Sequence, residues 1–434
     1  MRGLLATGVN VGSQAVARLG VLLIASNLLG TGSVMATQFC ISFASVALLI
    51  SVGPLGATAT RAVARRRGLG LPLSELVSML NFAALVTILT MVLISVGVFC
   101  LRLGPGSLSM AALFSAGFCL WSYVRAVEFG MGLEHMIIMR RQISTDAVSV
   151  LLAIVAAQTR DWEFSPILAL LVGQILYAAM SPVVAFGLAS PCQAMKALGR
   201  KAGSVEFFSV SWASGLVGAA LAQAPVLLAP LLLVTDQRLA LTQAYIFLGV
   251  GLILVRALSL FLFPALAAEG VQLGATRNWR TIRSFGLYPI PAVLAVMGLA
   301  SYPFALLLAM PISGRTFLLL GFSAAWVALQ IGSVLPVVLL TAGAASVARR
   351  SLWSTVFGLL VASTIWIVFV PSAGVDAFIL GGGAGSAGIS LYAVWSCRRL
   401  RLISMAQASA LLVFPGVFVS TLAVLAIGSA QLSV

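Results

Sequence analysis

The sequence predicts an all-α polytopic membrane protein with 12–14 transmembrane helices. Of its 434 residues, 61% are hydrophobic and only 8% are charged, whereas ordinary globular domains carry about 25% charged residues. Apolar runs of about 20 residues, the length that crosses the hydrocarbon core, recur along the whole chain. A soluble chain of this composition could not cover its surface with polar groups, so the membrane is the predicted solvent.

Thirteen apolar segments are long enough to be considered as spans. Twelve are clear, and the thirteenth lies near the C-terminus, while the fifth and eleventh are short for a membrane crossing. They lie at about 8–29, 36–60, 76–101, 109–131, 143–159, 165–189, 207–233, 243–266, 285–309, 316–340, 352–370, 376–396 and 404–429.

The distribution of lysine and arginine predicts the orientation. With Arg2, 18 of the 25 basic residues fall at one side of the predicted spans, and cytoplasmic loops are enriched in Lys and Arg. The N-terminus is therefore predicted to be cytoplasmic. The clusters are Arg61/Arg65/Arg66/Arg67, Arg140/Arg141, Lys196/Arg200/Lys201, Arg277/Arg280/Arg283, Arg349/Arg350 and Arg398/Arg399/Arg401.

Two longer loops, near 196–206 and 267–284, divide the chain into halves. The pattern LLxT followed by TQxxI, at 28–41, recurs at 232–246 with one residue of slippage. Parallel halves are a common plan in transporters. We predict an N-terminal lobe of six helices at 1–200, a C-terminal lobe of six helices at 201–400, and an extra C-terminal helix at 401–434.

Residues for enzyme chemistry are scarce. The five cysteines are scattered without a CxxC pair and His135 is the only histidine, so no metal site, cofactor or Ser-His-Asp constellation is predicted. The protein is therefore not predicted to be an enzyme. No nucleic-acid partner is predicted either, because each basic cluster ends an apolar span.

Candidate binding residues lie within the spans themselves. Asn10, Gln14 and Arg18 follow one another at four-residue steps and share one face of the first span. Arg256 lies near the middle of the eighth span. Because a charge in the hydrocarbon is costly and usually faces a cavity, both arginines are predicted to line one. The alternative is a packing arginine bonded to backbone carbonyls or to a neighbouring carboxylate.

Uncharged polar stripes support a cavity more weakly. Gln38 shares one side of the second span with two serines, and Gln174 shares one side of the sixth span with Tyr177 and Ser181. Such stripes either line a cavity or form hydrogen bonds between helices.

Few acidic residues lie in the spans. Arg125 and Glu128 are three residues apart, which allows an intrahelical ion pair. Asp146 is predicted to begin the fifth span, as a helix-start carboxylate or as part of a coupling-ion site. These three residues form a structural set or an ion-coupling set, and the sequence leaves both open.

The opening pattern resembles a known family. A polar-faced first helix, VNVGSQAVARLGVLLIASNLLGTG, leads through a glycine turn into a helix that ends GPLGATATRAVARRRG. The second half repeats the plan and closes its eighth span on LFLFPALAAEG. This resembles the polysaccharide-type flippases of the multidrug/oligosaccharidyl-lipid/polysaccharide exporter superfamily, most clearly over 1–70 and 205–270.

The resemblance implies two six-helix lobes around a central cavity that opens alternately to each side of the bacterial cytoplasmic membrane. It implies a polyprenyl-diphosphate-linked glycan as substrate, and as further partners membrane lipids and a polysaccharide polymerase or glycosyltransferases. Arg18 and Arg61 match the cationic positions that hold the diphosphate in the family. Arg256 suits the same role physically, since arginine offers a planar fork of donors.

Two other functions stay open. One is a small-molecule exporter of the multidrug type with the same fold. The other is a membrane component of a polysaccharide assembly complex that performs no transport.

Overall fold

The computed structural model describes residues 13, 16–100, 106–133, 135–159, 164–189, 202–269, 287–308, 310–343 and 345–431. In these residues, all regular secondary structure is helical. The all-α prediction is therefore confirmed.

Seven helices and a short turn of 3-10 helix form the first part of the chain. They are α1 (Val16–Leu29), α2 (Thr31–Ile50), α3 (Val52–Gly68), α4 (Ser74–Cys100), α5 (Gly106–Met131), α6 (His135–Thr159) and α7 (Ser165–Ala179), followed by the 3-10 turn Val184–Phe186. The last turn of α1, Ala25–Leu29, is a π-helix.

Seven more helices follow in the described ranges after residue 201. They are α8 (Ala202–Leu232), α9 (Thr235–Glu269), α10 (Pro289–Leu307), α11 (Gly314–Ala342), α12 (Ala345–Ala373), α13 (Val375–Arg399) and α14 (Met405–Gln431).

The predicted second span, 36–60, is a pair of helices rather than one. α2 and α3 are separated by Ser51, whose backbone leaves the helical region (φ −105°, ψ −82°). Pro54 has no N–H for the carbonyl of Ile50, so the hydrogen-bond ladder is interrupted at this point. The arginines from Arg61 to Arg67 therefore lie on α3, not in a loop.

The predicted sixth span, 165–189, is also shorter than expected. α7 ends at Ala179, because Pro182 disfavours a helical conformation of Ser181. The segment after α7 is fixed by Asn81 of α4, whose Nδ2 donates 3.0 Å hydrogen bonds to the carbonyls of Val183 and Gly187.

Many of the helices match the membrane in length and composition. Within the described residues, seven are long and apolar enough to cross it, and an eighth crossing is counted if the bent α8 forms one span. Three shorter apolar helices are α1, α7 and the N-terminal part of α14. The predicted polytopic membrane class is thereby confirmed.

The chain divides into two compact units, Met1–Leu232 and Leu233–Val434. In the first unit α5 packs against α2, α3, α4 and α7, and in the second α13 packs against α11, α12 and α14. α8 falls in the first unit because it packs on α2 and α3. The predicted lobes, which begin the second half at residue 201, instead assign α8 to the C-terminal lobe.

The glycine-rich segment 381–388 is a packing surface of α13. A Cβ on Gly382 would overlap the ring of Trp326, and a Cβ on Gly381 would overlap Trp366. Glycine here lets the aromatic rings of α11 and α12 reach the helix backbone. Small residues of this kind allow helices to pack closely.

Candidate functional site

A polar cavity lies inside the first unit, between α1, α5, α6 and α7. Its volume is about 20 Å³, which is room for about one water molecule. Two of the predicted site residues that line it are charged, Arg18 and Asp146, and a third, Gln174, is an amide. The full lining is Ala17, Arg18, Trp121, Gln142, Asp146, Ser149, Leu170, Gly173 and Gln174.

Arg18 enters the cavity from α1. Its neighbours Ala17 and Val21 are buried, and Gly20 lies near Val150 of α6, so this side of α1 packs inward. The guanidinium lies 4.9 Å from the centre of the Phe118 ring. Its Nη2 atom is buried and has no hydrogen-bond partner among the described residues.

Asp146 lies in the same cavity and is held by hydrogen bonds. Gln142 Nε2 donates to one carboxylate oxygen at 2.7 Å, and Ser13 Oγ donates to the other at 3.0 Å. Trp121 Nε1 donates to Gln142 Oε1 at 3.1 Å, which fixes the amide. Because α6 begins at His135, Asp146 lies within the helix and not at its start.

Glu128 forms a second polar centre, fully buried on α5. Its carboxylate pairs with Arg141 of α6 and accepts hydrogen bonds from Tyr177 Oη at 2.6 Å and Ser181 Oγ at 2.5 Å. Three segments of the chain therefore converge on one carboxylate. We call Glu128, Arg141, Tyr177 and Ser181 the Glu128 cluster.

Arg125 lies between the cavity and the Glu128 cluster. It is 3% exposed, and its guanidinium is 4.5 Å from the centre of the Trp121 ring and 5.8 Å from that of Phe129. Glu128 forms an ion pair with Arg141 of α6. The three-residue spacing had suggested an ion pair with Arg125 within α5.

The described charges at the cavity and at the Glu128 cluster leave an excess of one positive charge. Among them, the guanidiniums of Arg18, Arg125 and Arg141 stand against the carboxylates of Glu128 and Asp146. In a medium of low dielectric constant such an excess attracts an anion strongly. The arrangement can therefore bind an anionic group at Arg18, whose Nη2 points at no described acceptor.

Gln174 brings an acceptor to the same cavity. The residue is 8% exposed, and its Oε1 is buried without a described partner. The adjoining Gly173 allows α6 to approach closely, because a Cβ there would overlap Ser149 Oγ. The cavity thus presents both donors and acceptors.

Of the other predicted site residues, Gln38 and Arg61 are not part of the cavity lining. Gln38 is buried on α2, where its Nε2 donates to Ser42 Oγ at 3.4 Å. Arg61 is half-buried on α3. Asn10 and Gln14 lie outside the described residues. Arg256 falls on α9 in the second unit, but its side chain is also outside the described set.

Sequence reasoning missed Trp121, Arg141 and Gln142. Arg141 was read only as part of a topology cluster, and the signal that could have found Gln142 is its four-residue spacing from Asp146 on one helix face. Among the described residues, no group of three His, Cys, Asp or Glu side chains could hold a metal ion. The described cysteines Cys40, Cys119 and Cys397 are buried thiols.

Comparisons with known proteins identify the fold. No protein-family model and no curated protein matches the sequence. An outward-facing multidrug resistance MATE family transporter of the MOP superfamily matches with a TM-score of 0.68 at 14% identity, over 94% of this chain and 95% of that one.

Two further solved structures agree. A MOP superfamily transporter from Pyrococcus furiosus matches with a TM-score of 0.65 at 14% identity, over 94% of this chain and 95% of that one. A Vibrio cholerae MATE transporter matches with a TM-score of 0.60 at 16% identity, over 92% and 97%. The chain has the fold of MATE transporters of the MOP superfamily. The predicted superfamily resemblance is confirmed for the fold, while the flippase branch stays a prediction.

Proposed function

We propose that the protein is a flippase that moves a polyprenyl-diphosphate-linked oligosaccharide across the membrane by alternating access. The observation that carries the proposal is the guanidinium of Arg18, which lines a polar cavity and keeps a buried Nη2 without a described partner. A buried donor of this kind costs free energy unless a ligand or water satisfies it.

A diphosphate suits this donor. Arginine forms charge-assisted, often bidentate hydrogen bonds with phosphate oxygens, and these are about twice as strong as neutral ones. The positive excess among Arg18, Arg125, Arg141, Glu128 and Asp146 favours an anion further. Arg61, the predicted ligand on α3 of the same unit, would add a contact for the second phosphate or the sugar.

The size of the cavity limits which part of the substrate it takes. Sites for drug-sized ligands enclose about 300–1,000 Å³, whereas this cavity encloses about 20 Å³. It has room for about one water molecule, so phosphate oxygens would reach Arg18 only after the surrounding helices move apart. The proposal therefore assigns the diphosphate to Arg18 and leaves the sugar to other surfaces.

The proposal places the protein in the bacterial cytoplasmic membrane with a cytoplasmic N-terminus. A polysaccharide polymerase or glycosyltransferases would act before or after the flipping step. The fold similarity to exporters of the MOP superfamily supports transport by alternating access.

A specific observation favours a second candidate, a small-molecule exporter. Asp146 places a carboxylate in the same cavity, and a carboxylate suits a cationic drug. Structural relatives include transporters described as multidrug resistance proteins. A third candidate is a component of an assembly complex that performs no transport.

The test is flipping of a labelled lipid-linked oligosaccharide in vesicles that contain the purified protein. We expect Arg18→Ala to abolish flipping and Arg18→Lys to retain a part, because lysine keeps the charge but loses the fork. Arg315→Ala is the matched control, since Arg315 is an exposed arginine in an exposed ion pair with Asp376.

The outcomes separate the three candidates. If Arg18→Ala flips the lipid as well as the unaltered protein does, Arg18 does not bind the diphosphate. If the unaltered protein does not flip the lipid, the protein is not a flippase for this substrate. In that second case, uptake of an organic cation into the same vesicles identifies the exporter. If the protein transports neither compound, the third candidate remains, the component of an assembly complex that performs no transport.

A further inference from the structure

One end of the α12–α13 hairpin carries exposed aromatic and basic side chains together. α12 ends at Ala373 and α13 begins at Val375, so the start of α12 and the end of α13 lie at the same, opposite end of the pair. This end belongs to the second unit and is separate from the cavity at Arg18.

The aromatic side chains form a continuous row. The ring centres of Phe357 and Tyr392 are 6.1 Å apart, and those of Tyr392 and Trp395 are 5.5 Å apart. The Arg399 guanidinium lies 5.4 Å from the centre of the Trp395 ring. We call Phe357, Tyr392, Trp395 and Arg399 the aromatic row. It joins α12 to α13 across their shared outer surface.

Close packing of the two helices brings the row together. A Cβ on Gly358 would overlap Ile389 and lie 2.5 Å from the carbonyl oxygen of Gly385. A Cβ on Gly388 would lie 3.4 Å from the ring of Phe357. The glycines therefore remove the side chains that would otherwise separate the two helix faces.

Two large apolar side chains of the row, Phe357 and Trp395, are exposed. Trp395 is 50% exposed, Phe357 is 42% exposed, and Trp353, one turn nearer the helix start, is 58% exposed. The apolar surface continues along α12 through Leu360 and Ile367. An exposed apolar surface with a polar rim marks a site of interaction with membrane or protein.

The charge at this end is all of one sign. Arg349 and Arg350 lie in the first turns of α12, and Arg398, Arg399 and Arg401 lie at the end of α13. Over residues 345–434 the only acidic residue is Asp376, which begins α13 at the opposite end. Residues 345–434 therefore supply no acidic side chain at this end of the hairpin.

We propose that this end of the hairpin binds an anionic phospholipid, with its phosphate at Arg398 and Arg399 and an acyl chain along the aromatic row. Tryptophan and tyrosine favour the membrane–water interface, and basic pockets between transmembrane helices bind anionic headgroups. Stacking on Trp395 orients the guanidinium of Arg399 before the lipid binds. The apolar track from Phe357 to Ile367 fits a lipid tail better than a protein partner.

The test is the thermal unfolding of the purified full chain in a neutral detergent, titrated with phosphatidylglycerol, phosphatidylcholine or inorganic phosphate. Phosphatidylglycerol should raise the unfolding temperature, whereas the other two should not. In the double variant Arg398→Gln/Arg399→Gln, the apparent affinity for phosphatidylglycerol should fall about 25-fold, because each arginine contributes roughly a factor of five.

Arg315→Gln is the matched control, because Arg315 is exposed at the far end of the helix pair, where it contacts Asp376. Its response should equal that of the unaltered protein. A second readout is the quenching of tryptophan fluorescence by brominated phosphatidylglycerol. This quenching should decrease in Trp395→Phe.

Three results would overturn the proposal. They are an equal response to phosphatidylcholine, an equal response to inorganic phosphate, and an unchanged response in the double arginine variant. Quenching that is the same in Trp395→Phe as in the unaltered protein would exclude the acyl-chain path. None of these results bears on flipping at Arg18, so the two proposals stand or fall separately.

Discussion

The hydroxyl of Tyr177 on α7 donates a 2.6 Å hydrogen bond to Glu128 on α5, at a carboxylate that Arg141 of α6 also binds. Three helices are thereby joined through one charged group without contact with solvent. Removing one partner of a buried ion pair is costly because the remaining charge stays buried.

Replacement of Glu128 by Gln should therefore destabilise the protein strongly. We expect a loss of about 3–5 kcal/mol, since the Arg141 guanidinium loses its counter-charge. The measurement is unfolding in detergent followed by circular dichroism. Asp376→Asn is the control, because its exposed pair with Arg315 should contribute no more than about 1 kcal/mol. Equal losses of unfolding free energy in Glu128→Gln and Asp376→Asn would contradict the argument that burial makes the Glu128 ion pair more important for stability.

Two of the buried tyrosines, Tyr177 and Tyr245, should respond differently to loss of the hydroxyl. Tyr177→Phe removes a hydrogen bond to a charged group and should cost about 1.5–3 kcal/mol. The Tyr245 hydroxyl is buried in the second unit without a partner among the described residues, so Tyr245→Phe should be neutral or stabilising. The same unfolding assay compares them. A loss at Tyr245 as large as that at Tyr177 would reveal a hydrogen bond there.

Alanine at Gly173 should disturb the cavity wall. Its Cβ would overlap Ser149 Oγ and lie 3.0 Å from the carbonyl oxygen of Thr145, so we expect a loss of about 1–3 kcal/mol from overpacking. Gly321 is also within a helix but meets nothing within 4 Å, and Gly321→Ala should gain up to about 1 kcal/mol of helix propensity. If the unfolding temperatures of Gly173→Ala and Gly321→Ala fall by the same amount, steric overlap at Gly173 is not the cause of the loss.

Asp146→Asn should separate the two transport candidates. The substitution keeps the shape and raises the positive excess from one charge to two. If the substrate is a diphosphate, its affinity should increase about tenfold, from a charge interaction at about 10 Å in a medium of intermediate dielectric constant. Titration of the purified protein with a labelled polyprenyl diphosphate measures this affinity. Unchanged or weaker binding of the diphosphate would contradict the site, and loss of organic-cation transport would support the exporter.

The sequence predicted the fold class well, because the membrane imposes long apolar helices. The predicted spans were wrong where a single residue determines the backbone conformation. One continuous second span was predicted across Ser51 and Pro54, and the sixth was extended through Pro182, since apolar content continues on both sides of each break. Local proline chemistry overrides the hydropathy pattern at these positions.

The candidate site was predictable in its members but not in their contacts. The stripe of Gln174, Tyr177 and Ser181 was found from helical spacing, yet only the structure shows that Gln174 lines the cavity while the other two bind Glu128. Spacing relates residues within one helix. The pairing of Glu128 with Arg141 depends on how α5 and α6 pack, which a periodic pattern does not encode.

The Glu128 cluster has a consequence for biogenesis. Glu128 is synthesised 13 residues before Arg141, 49 before Tyr177 and 53 before Ser181. Its carboxylate therefore enters the bilayer ahead of these three partners, accompanied by Arg125 of the same helix, and a carboxylate without its hydrogen-bond partners is costly there. We expect the nascent α5 to remain near the insertion machinery until α6 and then α7 emerge, so that the three helices leave that machinery as one assembled group.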